Sequence, residues 1–323
     1  MKEIVDGTEQ NRKHDKESYM EHAAEKNIEQ NIEQSIDKSI KQSIEQDSEF
    51  IDLHVHSNAS DGTLTPKEVV KLAKESGLSA IALTDHDTVD GIEEAVEAGR
   101  LYGVHVIPGI ELSAEYKSGD LHILGLNVDY TDDEFMQRVA VCRDSRDNRN
   151  KKMIKKLNEH GFNVTWDIML ERFGANSITR AHFAKYLIDE GYVKDKDEAF
   201  KKYLNPGCPC YVSREKISPK EAIEVILKAG GHPVLAHPLL YKMNLERLES
   251  VIVMLKDFGL QGIEAIYSLN RPEDDAVLLK LAKRHGLYIT GGSDFHGSIK
   301  PDIALGTGKG NLRVTKDMCP LLF

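Results

Sequence analysis

From residue 50 onward the chain alternates between two hydrophobic periods. Ile51, Leu53 and Val55 alternate with Asp52, His54 and His56, the period-2 pattern of a strand with one dry face. Thr65-Pro66-Lys67-Glu68 then opens a helix: Thr65 caps it, Pro66 suits its first position, and Glu68 completes a capping box. Val69, Val70, Leu72 and Ala73 give it an apolar face, and Gly77 ends it. A strand over 80–84, a helix ending at Tyr102 before Gly103, and a strand over 104–107 follow. Pro108-Gly109 leads on to Ile110-Glu111-Leu112-Ser113, and a turn at Ser118-Gly119-Asp120 reverses the chain into Leu121-His122-Ile123-Leu124-Gly125-Leu126. Strands alternating with helices predict an α/β fold, built on a parallel sheet or barrel.

The alternation pauses over 131–217. Thr131-Asp132-Asp133-Glu134 reads as a capping box opening a long basic helix with Arg138, Arg143, Arg146, Arg149, Lys151, Lys152, Lys155 and Lys156, closed by Gly161. Helical stretches over 166–172, 180–190 and 196–203 come next, so 131–217 reads as a helical insertion in the barrel. Its basic charge reads mainly as a solvated face. Ser218-Pro219-Lys220-Glu221 restarts the pattern, with strands over 233–236, 262–267 and 287–290 and helices over 245–258 and 273–285. The barrel is therefore expected over 50–130 and 218–323.

Residues 1–49 stand apart as a polar extension. A four-residue repeat places Ile28, Ile32, Ile36, Ile40 and Ile44 on a stripe that winds by roughly 40° per repeat. That drift loses the seam of a long coiled coil, so a marginal helix or disordered leader is the expectation.

Composition narrows the picture. The 323 residues are 40% hydrophobic and 29% charged, ordinary for a globular protein. The net charge of −11 argues against a general nucleic-acid coat. Four cysteines do not make a disulfide framework, and Cys208-Pro209-Cys210 reads as loop or small buried thiols. No apolar run reaches the roughly 18 residues of a membrane span, and no signal-peptide core is present; the cytoplasm is the expected compartment.

The chemistry sits where strands end. His54 and His56 lie on one side of their strand, and two neutral imidazoles converging there suit a divalent metal. Asp61, His86, Glu111 and His122 follow, then His237 before Pro238, then Asp294 and His296 after Gly291-Gly292-Ser293. The strand ends of an α/β barrel converge on one site. One ion needs about three or four protein ligands, so nine candidates suit two or three ions, and mixed imidazole and carboxylate suits Mn²⁺, Zn²⁺ or Fe²⁺. The remaining histidines read as surface or structural. Thr179 can cap a helix whose first turn carries Arg180 and His182, a helix start plus guanidinium that suits a phosphate.

His54-Val55-His56, Ser60-Asp61-Gly62, Thr84-Asp85-His86-Asp87, Gly109-Ile110-Glu111, Leu121-His122, Ala236-His237-Pro238 and Ser293-Asp294-Phe295-His296, in this order, resemble the PHP (polymerase and histidinol phosphatase) family. The resemblance covers roughly 50–310 and implies a distorted (β/α)7 barrel with a trinuclear metal site, manganese foremost. It implies one ion on His54, His56, Glu111 and Asp294, a second on Glu111, His122 and His237, and a third on Asp61, His86 and His296. The insertion with Thr179-Arg180-Ala181-His182 resembles the branch of bacterial nucleotide phosphatases and 5′-to-3′ exoribonucleases. Expected substrates are therefore nucleoside 3′,5′-bisphosphates, 5′-monophosphates and short 5′-phosphorylated RNA, with no duplex DNA and no membrane. Arg180 and His182 would close over the phosphate, with His182 as proton donor. The 1–49 extension, Cys208-Pro209-Cys210, and Tyr267-Ser268 in place of an expected histidine-proline depart from the pattern. Histidinol-phosphate phosphatase, a metal-dependent amidohydrolase and a non-catalytic nucleotide- or nucleic-acid-binding module are the rival readings.

Overall fold

The computed structural model describes residues 49–323 apart from 118, 175–177 and 214–215. The isoleucine repeat, Ser118 at the expected turn and Ser177 lie outside the described residues. Seven strands join in chain order: β1 (Ile51–Val55), β2 (Ala80–Leu83), β3 (His105–Tyr116), β4 (Gly119–Leu126), β5 (His232–Leu235), β6 (Gly262–Tyr267) and β7 (Tyr288–Gly292). All neighbouring pairs are parallel except those of β4, which runs antiparallel to both β3 and β5.

The sheet curls until its ends meet. The His56 amide donates to the Phe295 carbonyl at 3.0 Å, and the Asp294 amide donates to the His54 carbonyl at 2.8 Å. Gly292 permits that approach, because a Cβ there would lie 2.4 Å from the His54 Cβ. The result is a nearly closed α/β barrel. Closure also corrects the expectation of one dry face on β1, whose residues are all buried. Ile51 and Leu53 pack with Ala80, Ala82, Ile107 and Val234. Val55 instead joins Ile81, Leu83 and Ile110 in the cluster that the flanking helices cover. A curled sheet under helices has no wet face to give β1.

β3 runs through Pro108-Gly109, where the sequence suggested a break. Pro108 is the last residue paired with β2, and antiparallel pairing with β4 begins at Gly109. The proline therefore stands where no ladder donor is required. A Cβ at Gly109 would meet the Leu83 carbonyl oxygen at 2.8 Å.

Helices α1 (Pro66–Glu75) and α2 (Ile92–Tyr102) cover the first strands. Thr65 and Glu68 form the expected capping box on α1, and Val69 and Val70 are fully buried, worth about 2 kcal/mol each. Between β4 and β5 lie α3 (Asp133–Glu159), α4 (Trp166–Phe173), α5 (Arg180–Asp189) and α6 (Lys196–Ala199), which runs on into a π-helical turn at Phe200–Leu204. Asp132, not Thr131, caps α3 by accepting the Phe135 amide at 2.8 Å; the Thr131 hydroxyl donates to Asp129 instead. Met153, Leu157, Met169, Phe183 and Leu204 form a separate apolar cluster here, with Cys210 buried among them. Helices α7 (Pro219–Lys228), α8 (Leu245–Asp257) and α9 (Pro272–His285) complete the outer layer. No described helix is long and apolar enough to cross a membrane.

Candidate metal centre

The strand edge that carries the histidines is backed by unusual backbone. Asp87, His237 and Asp294 hold φ of 53°, 28° and 55°, in a region that L-residues enter at a cost of roughly 1–3 kcal/mol each. Each lies just beyond the end of a strand or next to a candidate ligand, so the strain falls where side chains must be aimed inward.

All nine candidate ligands meet at this edge. Glu111 is the hub: its Oε1 lies 2.7 Å from His122 Nδ1 and 3.1 Å from His237 Nε2. Its Oε2 lies 3.0, 3.3 and 3.4 Å from His86 Nδ1, His56 Nε2 and His54 Nε2. Asp294 Oδ1 faces His56 and His296 at 3.4 Å and His54 at 3.7 Å. Asp61 Oδ1 faces His296 Nε2 at 3.1 Å. Two placements differ from the sequence reading. Glu111 sits inside β3, not behind a strand, and His122 lies in the first half of β4. Because β4 is reversed, its early residues reach the edge that the parallel strands reach with their last ones.

The atoms themselves test the fit to cations. His54 Nε2 and His56 Nε2 stand 3.1 Å apart in full burial, and Glu111 Oε2 makes no hydrogen bond. Acceptors packed against acceptors are costly unless a proton or a cation lies between them. His56, Asp61, His86 and His296 form one group with mutually close ligand atoms; His54, His56 and Glu111 form a second, and His86, Glu111 and His122 a third. His56 and His86 thus each belong to two groups, where the resemblance gave each a single ion. The nitrogen and oxygen set fits several divalent cations.

These groups polarise one another. Burial pushes the Glu111 carboxyl up, but His86, His122 and His54 outweigh it and hold it well below the usual range. Asp61 and Asp294 are likewise pushed up by burial and held well below by neighbouring basic groups, His296 first for Asp61 and Lys300 first for Asp294. Burial depresses His54 and His56, yet Glu264 first for one and Asp294 first for the other raise them, His56 to about 9. Burial lowers His86, and with Lys300 and His56 it brings His296 down to about 4. Acid and base forms are therefore pulled apart within one site, a common mark of functional centres.

Glu264 and Lys300 are supporting residues absent from the sequence reading, and Tyr267 entered it only as a departure from an expected histidine-proline. Glu264, inside β6, receives His54 Nδ1 at 3.0 Å and the His237 amide at 2.7 Å. The available signal was a lone acid in an apolar strand, the same signal that marked Glu111. The Tyr267 hydroxyl and Lys300 Nζ reach Asp294 Oδ2 at 2.7 and 2.6 Å. Such partners orient ligands from behind.

Beside the centre, a cavity of about 180 Å³ opens onto Asp61, His86 and His122 and is walled by Arg146, Arg149, Arg180 and Lys216. Arg146 and Arg149 are buried, against the expectation of a solvated basic face. Arg146 forms an ion pair with Asp87 and reaches Ser113 Oγ at 3.3 Å; Lys216 pairs with Asp120. Arg180 stands 5.7 Å from the Tyr211 ring, with no carboxylate partner among the described residues. His182 lies close enough to Asp61, Arg146 and His86 to feel their charge, but its ring turns back onto its own helix start. It is 1% exposed, its Nδ1 accepts the Thr179 amide at 3.2 Å, and its ring stacks on Phe173 at 4.8 Å. Burial holds it down at about 4, so it is neutral near pH 7 and serves as a helix cap, off the cavity wall. Cys208 and Cys210 join no metal-type group among the described residues.

A curled seven-stranded sheet gathers six imidazoles and three carboxylates at one edge, which defines an α/β barrel with a side-chain cluster suited to divalent metal. The chain belongs to the PHP domain family, whose model matches residues 52–290. It is 37% identical over 272 residues to a 3′,5′-nucleoside bisphosphate phosphatase of Chromobacterium violaceum, covering 84% of this chain and 93% of that protein. It is 36% identical over 245 residues to a 5′-3′ exoribonuclease of Haemophilus influenzae, covering 76% and 89%. A solved structure from Bifidobacterium adolescentis, described as a candidate metal-dependent phosphoesterase, superposes with a TM-score of 0.73 at 32% identity, covering 84% and 94%.

Proposed function

We propose that this protein is a divalent-metal-dependent phosphoesterase acting on nucleotide phosphomonoesters, with nucleoside 3′,5′-bisphosphates first, and on short 5′-phosphorylated RNA. The observation that carries the reading is the nine-ligand edge opening directly into an arginine-walled cavity. His54, His56, Glu111 and Asp294, then His122 and His237 with Glu111, then Asp61, His86 and His296 would hold the ions, manganese foremost. Bound there, divalent cations supply Lewis-acid charge to phosphoryl oxygens and make water acidic enough to attack.

The chain's own groups do the rest. Glu264 fixes the tautomer and direction of His54, and Tyr267 and Lys300 leave Asp294 Oδ1 facing the histidines. Arg149 and Arg180 receive the phosphate that does not react, which orients the ester for in-line attack. The helical segment 131–217 acts as the substrate cap, because α3 and α5 supply those arginines. Cys208, Cys210 and Cys319 stand as thiols outside any disulfide, which suits a reducing cytoplasm.

Phosphate release by metal-stripped protein reloaded with Mn²⁺ tests the reading. Nucleoside 3′,5′-bisphosphates should be cleaved fastest and 5′-monophosphates next. Preference for histidinol phosphate, or tight nucleotide binding without release, would reject it.

A further inference from the structure

A second basic cavity, of about 300 Å³, opens over β6 and β7, across the barrel mouth from the arginine-walled one over β2 to β4. Lys196, Lys300 and Lys309 line it, with Asp302 as the one acid besides Asp294. The two cavities share the edge between them. Asp61 lines one and Asp294 the other, and His296 contacts both carboxylates, at 3.1 and 3.4 Å. Lys300 is occupied by Asp294, but the ammonium groups of Lys196 and Lys309 form no ion pair among the described residues. Partial burial and then Lys300 push Lys196 down, against the opposing pull of Asp61, Asp294 and Asp197. Lys196 and Lys309, both solvent-exposed, bring two cations to a wall whose acids are Asp294, held by Lys300, and Asp302. Leu269, 49% exposed, adds an apolar wall of the kind that packs against a base or ribose.

We infer that this cavity is a further phosphate subsite, which takes the next backbone phosphate of a 5′-phosphorylated single-stranded RNA. The inference rests on the phosphoesterase reading above. With the terminal phosphate on the arginine wall and the reacting one at the metal edge, a longer strand continues across the mouth, over β6 and β7. A nucleoside bisphosphate fills only the first two positions, so the lysine cavity distinguishes an oligonucleotide from a bisphosphate. The acidic chain as a whole repels an extended polyanion, and this local cavity selects a short single strand.

The double variant K196A/K309A tests this, with Lys300 left to hold Asp294. Metal-stripped protein is titrated with a 3′-labelled, 5′-phosphorylated pentaribonucleotide and with a nucleoside 3′,5′-bisphosphate. The variant should bind the pentanucleotide about tenfold more weakly, with a salt dependence flatter by about one unit, and bind the bisphosphate unchanged. In the Mn²⁺-loaded enzyme, KM for the pentanucleotide should rise while bisphosphate turnover stays put. Unchanged pentanucleotide affinity, no pentanucleotide binding by the unaltered protein, or equal losses on both ligands would each overturn the subsite. Absence of phosphate release by the unaltered Mn²⁺-loaded protein counts against the phosphoesterase reading alone, since the binding contrast is scored without turnover.

Discussion

Side-chain direction is decided differently on β1 and on α3. On β1 the pleat sends His54 and His56 toward Glu111 and Asp294 whatever else the protein does. On α3, Arg143 pairs with Asp90 at 3.2 Å with 36% of its side chain exposed, whereas Arg146, three residues on, is buried on Asp87. Nothing in the local charge pattern separates these two arginines. A strand in a curled sheet aims its residues by backbone ladder; a helix does so only once its packing partner is known.

Removing the hub should sharpen that contrast most. Glu111→Gln should lower kcat/KM by at least about 10³-fold, roughly 4 kcal/mol, with the circular dichroism spectrum preserved and bound manganese reduced. Assay and metal analysis on one preparation check both parts, and full activity would break the case for the strand edge.

Next in size is the buried helix contact. Arg146→Ala takes its ion-pair cation from the buried Asp87 carboxylate, so stability should fall by roughly 3 kcal/mol in chemical denaturation. Adding Asp87→Asn should recover part of the loss. Arg143→Ala, on the exposed pair, should cost under about 1 kcal/mol. Equal costs would erase the distinction between the two arginines.

The histidine cap gives a pH signature. His182 is held at about 4 when folded against an ordinary 6.5, so the unfolded chain takes up its proton first. Its contribution is intact above about pH 6.5 and is lost as pH falls toward 4, by up to about 3 kcal/mol. Denaturation midpoints of the unaltered protein and His182→Asn across that window should converge as pH falls. A kcat profile controlled by His182 near neutrality would instead return it to proton transfer.

A smaller effect, read in binding and not in stability, belongs to the cavity wall. Arg180→Ala should raise KM for a nucleoside bisphosphate about tenfold and change stability little, since its guanidinium has no ion pair among the described residues and donates only a long bond to the Leu204 carbonyl, at 3.5 Å. An unchanged KM would remove Arg180 from substrate binding.

Much of this was legible before any coordinates. Capped helices such as α1 carry their start in Thr65-Pro66-Lys67-Glu68, and α2 ends on Gly103, held in the left-handed region. His54, His56, His86 and His237 stand at or near strand ends, where a barrel gathers its chemistry. The reversal of β4 was visible as a turn, but its consequence for His122 depended on which edge the reversed strand would join. Glu264 was overlooked because a lone acid in an apolar strand gains meaning only from what lies across the barrel. A histidine in a first turn can cap the helix or face a ligand, and the sequence does not hold the Phe173 stack and Thr179 amide that turn His182 into a cap.

By itself the sequence determined the alternation of strands and helices, the helix caps and the set of nine ligand-type side chains, because period, capping and residue chemistry act over a few neighbours. The tertiary structure alone decided which acid stands behind His54, which arginines were buried and where Lys196, Lys300 and Lys309 converge. Those outcomes join residues tens to hundreds of positions apart, and only closure of the sheet and packing of the helices bring them within reach of one another.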